Sequence, residues 1–265
     1  MKIGVVGYGV VGSAVGESLK EIGHDVIPHD ITMDTKLSDV LSTEVCFLCV
    51  PTPKNEKGEC DISIVTSVIE ELSNENYKGI ICIKSTVVPG TTKDLIGLYP
   101  NCSISFVPEF LRERCAKKDF QENHDLCVIG TDSKDDFEKI KSLHGDYPKK
   151  VTMVSPTEAE LCKYFNNIYN ATLVVFANSF YEVCKSLSAD YSKVKNTMVQ
   201  RDHIGDFYIS CNEELRGFGG MCLPKDTSAI ASLCKDKNID VDFFSNLLSE
   251  NQKYEVTVFK GMRKE

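Results

Sequence analysis

An apolar run at residues 3–6 passes directly into Gly7-Tyr8-Gly9-Val10-Val11-Gly12, and an amphipathic stretch follows at 11–20. No other feature constrains the fold as strongly. Three glycines at this spacing let a chain leave a strand, turn tightly and open a helix, with backbone close enough to meet a pyrophosphate. The next apolar run ends at Asp30, eighteen residues after Gly12. An acid there accepts hydrogen bonds from the adenine-side ribose of NAD and repels the extra phosphate of NADP. The expected cofactor is therefore NAD, held by Gly7, Tyr8, Gly9, Val10, Val11, Gly12 and Asp30.

Further short runs at 25–28, 45–50, 80–84, 103–107 and 126–129 read as strands, with helices between them, for example at 62–72. Strand–helix alternation predicts an α/β, Rossmann-like, mostly parallel sheet covered on both faces, over residues 1–150. The pattern then changes. Ser155-Pro156-Thr157-Glu158 is a helix start, with a serine cap, proline at the first helical position and glutamate three after the cap. No glycine or proline interrupts the chain from there to Ser188. A helix of about 33 residues would be about 50 Å long. It predicts a helical domain over 151–265 built on one long central helix, with further helices near 226–236 and 241–262. So long an apolar face predicts a homodimer through that helix.

The formal net charge of −9 argues against nucleic acid as a partner. No apolar run approaches the about 20 residues of a membrane span, and the first residues do not read as a secretory signal. The expected location is cytoplasmic. Twelve cysteines fit a reducing compartment as small buried hydrophobes. Cys46 and Cys49 stand three apart in a strand, on opposite faces, so no metal site is expected there.

Cys222 is the exception. It lies in Gly217-Phe218-Gly219-Gly220-Met221-Cys222-Leu223-Pro224-Lys225-Asp226-Thr227. A thiol in a glycine-rich turn, beside a lysine and a helix start, suits attack on an aldehyde. Lys163 and Asn167 share one face of the long helix. Lys84-Ser85-Thr86 and Val107-Pro108-Glu109 each follow a strand, so Thr86 and Glu109 are expected at the carboxyl edge of the sheet, where ligands bind.

Together, GYGVVG, VPTP at 50–53, KSTVVPGTT, VPEFLRE, the Lys163/Asn167 pair, DHIG at 202–205 and GFGGMCLPKD resemble the nucleotide-sugar dehydrogenase family, most of all the UDP-glucose 6-dehydrogenases. The resemblance implies two successive NAD-dependent oxidations of a sugar primary alcohol to a carboxylate. It implies Cys222 as the nucleophile and Lys163 as the stabiliser of an oxyanion or a proton carrier. Asn167 would orient substrate, Asp226 would tune Lys163 and hold a water, Glu109 would be a general base and Thr86 a hydroxyl holding that water. Pro51, Thr52 and Thr86 would also touch the cofactor. Glu109, Phe110, Leu111, Arg112, Lys163, Asn167, His203, Gly219 and Gly220 would contact the nucleotide sugar.

Two departures bear on this. The chain ends where the family continues into a third domain, so the expectation is either a natural short form or a fragment, with fewer groups to hold the nucleotide of the substrate. His203 stands where the family usually has arginine, and histidine lacks arginine's forked donors. Two other readings stay open: a two-electron hydroxy-acid-type dehydrogenase, or a truncated NAD-binding relative without catalysis.

Overall fold

The computed structural model describes residues 1–55 and 60–257, in two compact units, residues 1–53 with 60–163, and 54–59 with 164–265. In the first unit, strands β1 (Lys2–Val6), β2 (Asp25–His29), β3 (Val45–Leu48), β4 (Ile80–Ile83), β5 (Ser103–Phe106), β6 (Cys127–Gly130) and β7 (Val151–Val154) form one sheet. Its order is β2-β1-β3-β4-β5-β6-β7. Neighbours are parallel except β5 and β6, which meet antiparallel at Phe106 and Gly130.

Alternate residues feed two cores, one on each face. Cys46, Leu48, Ile81, Ile83 and Phe106 enter one; Val45, Phe47, Ile80 and Cys82 enter the other. Period-two alternation in strands buried on both sides explains why they read as unbroken apolar runs. Cys46 packs into the first core and Cys49 against the second, so they do lie on opposite faces. Helices α1 (Val10–Glu21), α2 (Ser63–Asn74), α3 (Thr91–Leu98), α4 (Ala116–Gln121) and α5 (Lys134–Leu143) complete the layers. Strand β7 had no strong apolar signal, because its side chains are only partly buried at the sheet margin. It and the first turns of α6 (Pro156–Ser186) extend the first unit past residue 150, to Lys163.

The start of α6 follows its sequence. Ser155 Oγ accepts from Glu158 N (3.4 Å), and the Glu158 carboxylate accepts from Ser155 N (2.8 Å), closing a capping box. The helix stops where Ser188 turns left-handed and Ala189 N bonds back to Cys184 O (2.8 Å). The second unit adds α7 (Tyr191–Met198), α8 (Leu223–Asp236) and α9 (Phe243–Asn251). Tyr164, Ile168, Phe218, Ile230 and Leu247 are among its core. The helix expected over 241–262 is shorter: α9 ends at Asn251, residues 252–257 are not helical, and 258–262 lie outside the described residues. The start expected at 226 comes earlier, because Pro224 fits the first turn of α8. Among the described residues, no helix is long and apolar enough to cross a membrane.

Candidate active site

The cofactor turn is set by close backbone approach. Gly7 has φ +86°, and a Cβ there would stand 2.7 Å from the Cys49 backbone. A Cβ on Gly12 would stand 1.9 Å from Gly7 O, so no side chain fits at that helix–strand contact. Above Gly9, in contrast, nothing lies within 4 Å. The N-terminus of α1 carries no side-chain cap and no acid in its first turn. Exposed N–H groups at the positive end of a helix dipole fit a pyrophosphate. Asp30 follows β2, and its carboxylate accepts from Tyr8 N (2.7 Å), Thr32 N (2.9 Å) and Thr32 Oγ1 (2.7 Å). The Thr32 bonds, then the Tyr8 bond, hold its pKa below the usual carboxylate range. An ionised Asp30 is thereby fastened beside the turn, as an NAD ribose requires. An open cavity of about 300 Å³ adjoins α1, lined among others by Val10, Ser13, Arg114 and Lys117.

The carboxyl ends of β3, β4 and β5 lie along one edge, because these strands are parallel neighbours. The Cys60 thiol donates to Thr86 O (3.2 Å) and more weakly to Thr52 O (3.8 Å), linking the Pro51–Thr52 segment to Thr86. Lys84, buried, donates from Nζ to Val107 O (3.0 Å) just before Glu109. Lys163 Nζ then donates to Glu109 O (2.6 Å) and Glu109 Oε1 (2.7 Å). Glu109 Oε2 accepts from Leu111 N (2.7 Å). Burial is the largest influence on Glu109 and pushes its pKa up. The Lys163 charge and hydrogen bond, with the Leu111 N–H, outweigh it and leave the group below its ordinary range. The result is a buried, ionised pair. A cavity of about 30 Å³ beside it is lined by Lys84, Glu109, Phe110 and His124, among others.

The rest of the Glu109 loop is used differently. Phe110 packs against one core and Leu111 against the other. The Arg112 guanidinium donates to Asp119 from Nε (2.9 Å) and Nη2 (2.7 Å), which holds the Asp119 carboxyl far below its usual range.

In the second unit, Asn167 Nδ2 donates to Asp226 Oδ2 (2.6 Å), and Asn166 Nδ2 donates to Asn167 Oδ1 (3.0 Å). Asp226 is fully buried, and Lys225 Nζ stands 3.0 Å from its other oxygen as an ion pair without hydrogen-bond alignment. Cys222 is exposed at the N-cap of α8, and its carbonyl accepts from Asp226 N (2.9 Å). A helix N-terminus favours negative charge on a sulfur placed there. Gly219 and Gly220 precede it in the exposed loop, and His203 is exposed in the turn after α7. Sequence reasoning missed Lys84 and Cys60 as contributors. Lys84 stood inside a quoted motif without a role, and both act through backbone carbonyls that no spacing reveals.

Residues 31–147 match the NAD binding domain of the UDP-glucose/GDP-mannose dehydrogenase family, and residues 157–253 match its central domain. The chain is 28% identical to a UDP-glucose 6-dehydrogenase of Haloferax volcanii, over 89% of the chain and 66% of the relative. It is 26% identical to a GDP-mannose 6-dehydrogenase of Pseudomonas syringae pv. tomato, over 95% of the chain and 68% of the relative. The chain thus spans about two thirds of the length of these curated relatives. The structure of a UDP-glucose dehydrogenase from Pyrobaculum islandicum superposes with a TM-score of 0.86, at 24% identity, over 95% of the chain and 68% of that one. The glycine turn and open sheet of the first unit and the long-helix second unit accordingly belong to a protein of the UDP-glucose/GDP-mannose dehydrogenase family, with its NAD binding domain and its central domain.

Proposed function

We propose that the protein oxidises the primary alcohol of a nucleotide sugar to the carboxylate, UDP-glucose to UDP-glucuronate, through a covalent intermediate on Cys222. The turn at 7–12, Asp30 and the Pro51, Thr52 and Thr86 segments would hold NAD, which would supply a hydride acceptor for each of two oxidations. The chain's own residues do the rest. The Cys222 thiolate adds to the carbon of the intermediate aldehyde, and the carbonyl electron pair moves to oxygen, which takes a proton. After the second oxidation that carbon is a thioester. Water adds to it, sulfur leaves as thiolate, and the carboxylate is released. Lys163 stabilises the oxyanion and carries protons, while Asn167 and Asp226 orient the reacting group and a water. Glu109, kept ionised by Lys163, accepts the proton of the attacking water, which Thr86 helps to hold. The family resemblance would assign contacts with the substrate to Phe110, Leu111, Arg112, His203, Gly219 and Gly220.

The observation that carries this reading is Cys222 at the N-cap of α8, four residues before a buried Asp226 bonded to Asn167. Counting NADH released per nucleotide sugar tests it, with UDP-glucose and GDP-mannose in one panel. Two NADH per UDP-glucose is expected. One NADH with a stable carbonyl product would support a two-electron dehydrogenase, and NAD binding without turnover a non-catalytic relative. Cys222→Ser should stop acid formation; full acid production by that variant would remove the nucleophile.

The long helix also supports a homodimer as the working form. Phe165, Tyr169, Phe176, Phe180 and Val183 are exposed at three-, four- and seven-residue spacing along it. Such an apolar stripe on one helix is suited to a second copy. Light scattering should return twice the chain mass, and Phe165→Glu should lower it. Twelve cysteines suit a reducing, cytoplasmic setting.

A further inference from the structure

We infer that Asn251, in the last turn of α9, is a positioning residue that sets the place of the Cys222 thiol. Its role in catalysis rests on the nucleophile reading above; its structural hold on the loop does not. The Asn251 side chain is 8% exposed. Its Oδ1 accepts from Phe218 N (2.7 Å), and its Nδ2 donates to Phe218 O (2.9 Å). One carboxamide thus occupies both backbone groups of one residue, as a neighbouring strand would. Only a side chain with both a donor and an acceptor on one planar group does this.

The two preceding residues are held in the same manner. Asn178 Oδ1, on α6, accepts from Gly217 N (3.2 Å) and Arg216 Nε (2.8 Å). Thr257 Oγ1 accepts from Arg216 N (2.8 Å), and Thr257 N donates to Arg216 O (3.2 Å). Three consecutive backbone N–H groups are therefore taken by side chains distant in sequence. Phe218 also buries its ring, 2% exposed, in the core with Ala229 and Leu247. Beyond it the loop rises to Met221, 77% exposed, and Cys222. The four residues from Gly219 to Cys222 are strung between this anchor and the first turn of α8. Phe218 is the nearer fixed point on the upstream side, and Asn251 fixes it.

Two variants test the inference. Asn251→Asp keeps size and the acceptor for Phe218 N but turns a second acceptor toward Phe218 O. Asn251→Ala removes both bonds. For each, iodoacetamide labelling of the Cys222 peptide is timed by mass spectrometry, and NADH per UDP-glucose is counted with hydroxylamine present to trap aldehyde. NAD affinity and thermal midpoint are recorded alongside. The labelling rate should change by about threefold or more, and acid formation should fall about tenfold with trapped aldehyde appearing. NAD affinity should stay within about twofold, since the cofactor turn makes none of these bonds. Wild-type labelling in both variants overturns the inference, as does loss of the fold in both or an equal fall in both oxidations, each of which marks a merely structural role. Acid production by Cys222→Ser in the same assay removes the nucleophile reading alone and leaves the labelling result in force.

Discussion

The turn at residues 7–12 and the loop at residues 217–222 are both glycine-rich, and both are assigned chemistry, yet they are held in different ways. The turn is fixed mostly by backbone packing: Gly12 lies against Gly7 and Gly7 against the Cys49 backbone, Gly7 N bonds to His29 O, and Asp30 is the side chain that accepts from Tyr8 N. The loop is fixed from outside, by Asn178, Asn251 and Thr257, which arrive from other parts of the second unit. A locally determined site tolerates remote change and fails at its own glycines. A remotely determined site can fail at residues that never touch the reaction.

Substitutions can break or sharpen that contrast. The largest effect is expected at the Lys163–Glu109 pair of the first unit. Lys163→Met strands a buried carboxylate, and such losses cost about 3–5 kcal/mol. Denaturant unfolding should register that loss at neutral pH, and adding Glu109→Gln should restore part of it. Next comes the turn. Gly12→Ala forces a methyl into a 1.9 Å gap, and overpacking of this kind costs about 1–3 kcal/mol. Calorimetry should find weakened NAD binding, with Cys222 labelling unchanged.

A third test separates the units by pH. His144 is buried and His124 half-buried in the first unit, and desolvation, aided by the Lys84 charge, lowers the His124 and His144 pKa values to about 4 and about 3. The unfolded chain takes up these protons near the ordinary 6.5. The stability of the neutral rings is therefore full above pH 6.5 and is lost as pH falls toward 3–4. At pH 5.5 each should cost about 1 kcal/mol. Hydrogen exchange should loosen the first unit before the second, and Phe at both positions should flatten the dependence. The smallest stability effect is expected for Gly9→Ala. With nothing within 4 Å of the added methyl, stability should stay within about 0.5 kcal/mol while NAD affinity falls, because only the ligand meets it.

The legible part of the molecule is the part written at short range. Strands β1 and β3 to β6 announced themselves because double-sided burial needs continuous apolar runs, while β2, a margin strand that is only partly buried, was read from its place between α1 and Asp30. The start of α6 was legible because a capping box is complete within four residues. Strand β7 was not, since a margin strand buries little and leaves a weak pattern. Helix α7 was also unforeseen, although Asp190 caps it through Ser192 N (2.9 Å) and Lys193 N (3.2 Å). Its polar face carries few apolar positions to mark a period.

The same division runs through the site. Gly7, Gly9, Gly12, Asp30, Lys163, Asn167 and Cys222 could be named from spacing and resemblance. Folding alone decided that Glu109 is held by Lys163, that Arg112 is engaged by Asp119, and that Asn167 meets Asp226 across 59 residues. By itself the sequence determined the cofactor turn, the sheet strands and the long helix, because backbone sterics and burial period act between neighbours along the chain. Tertiary structure decided which carboxylate meets which cation and what anchors the Cys222 loop, because hydrogen bonds and charges act through space and leave no trace in local spacing.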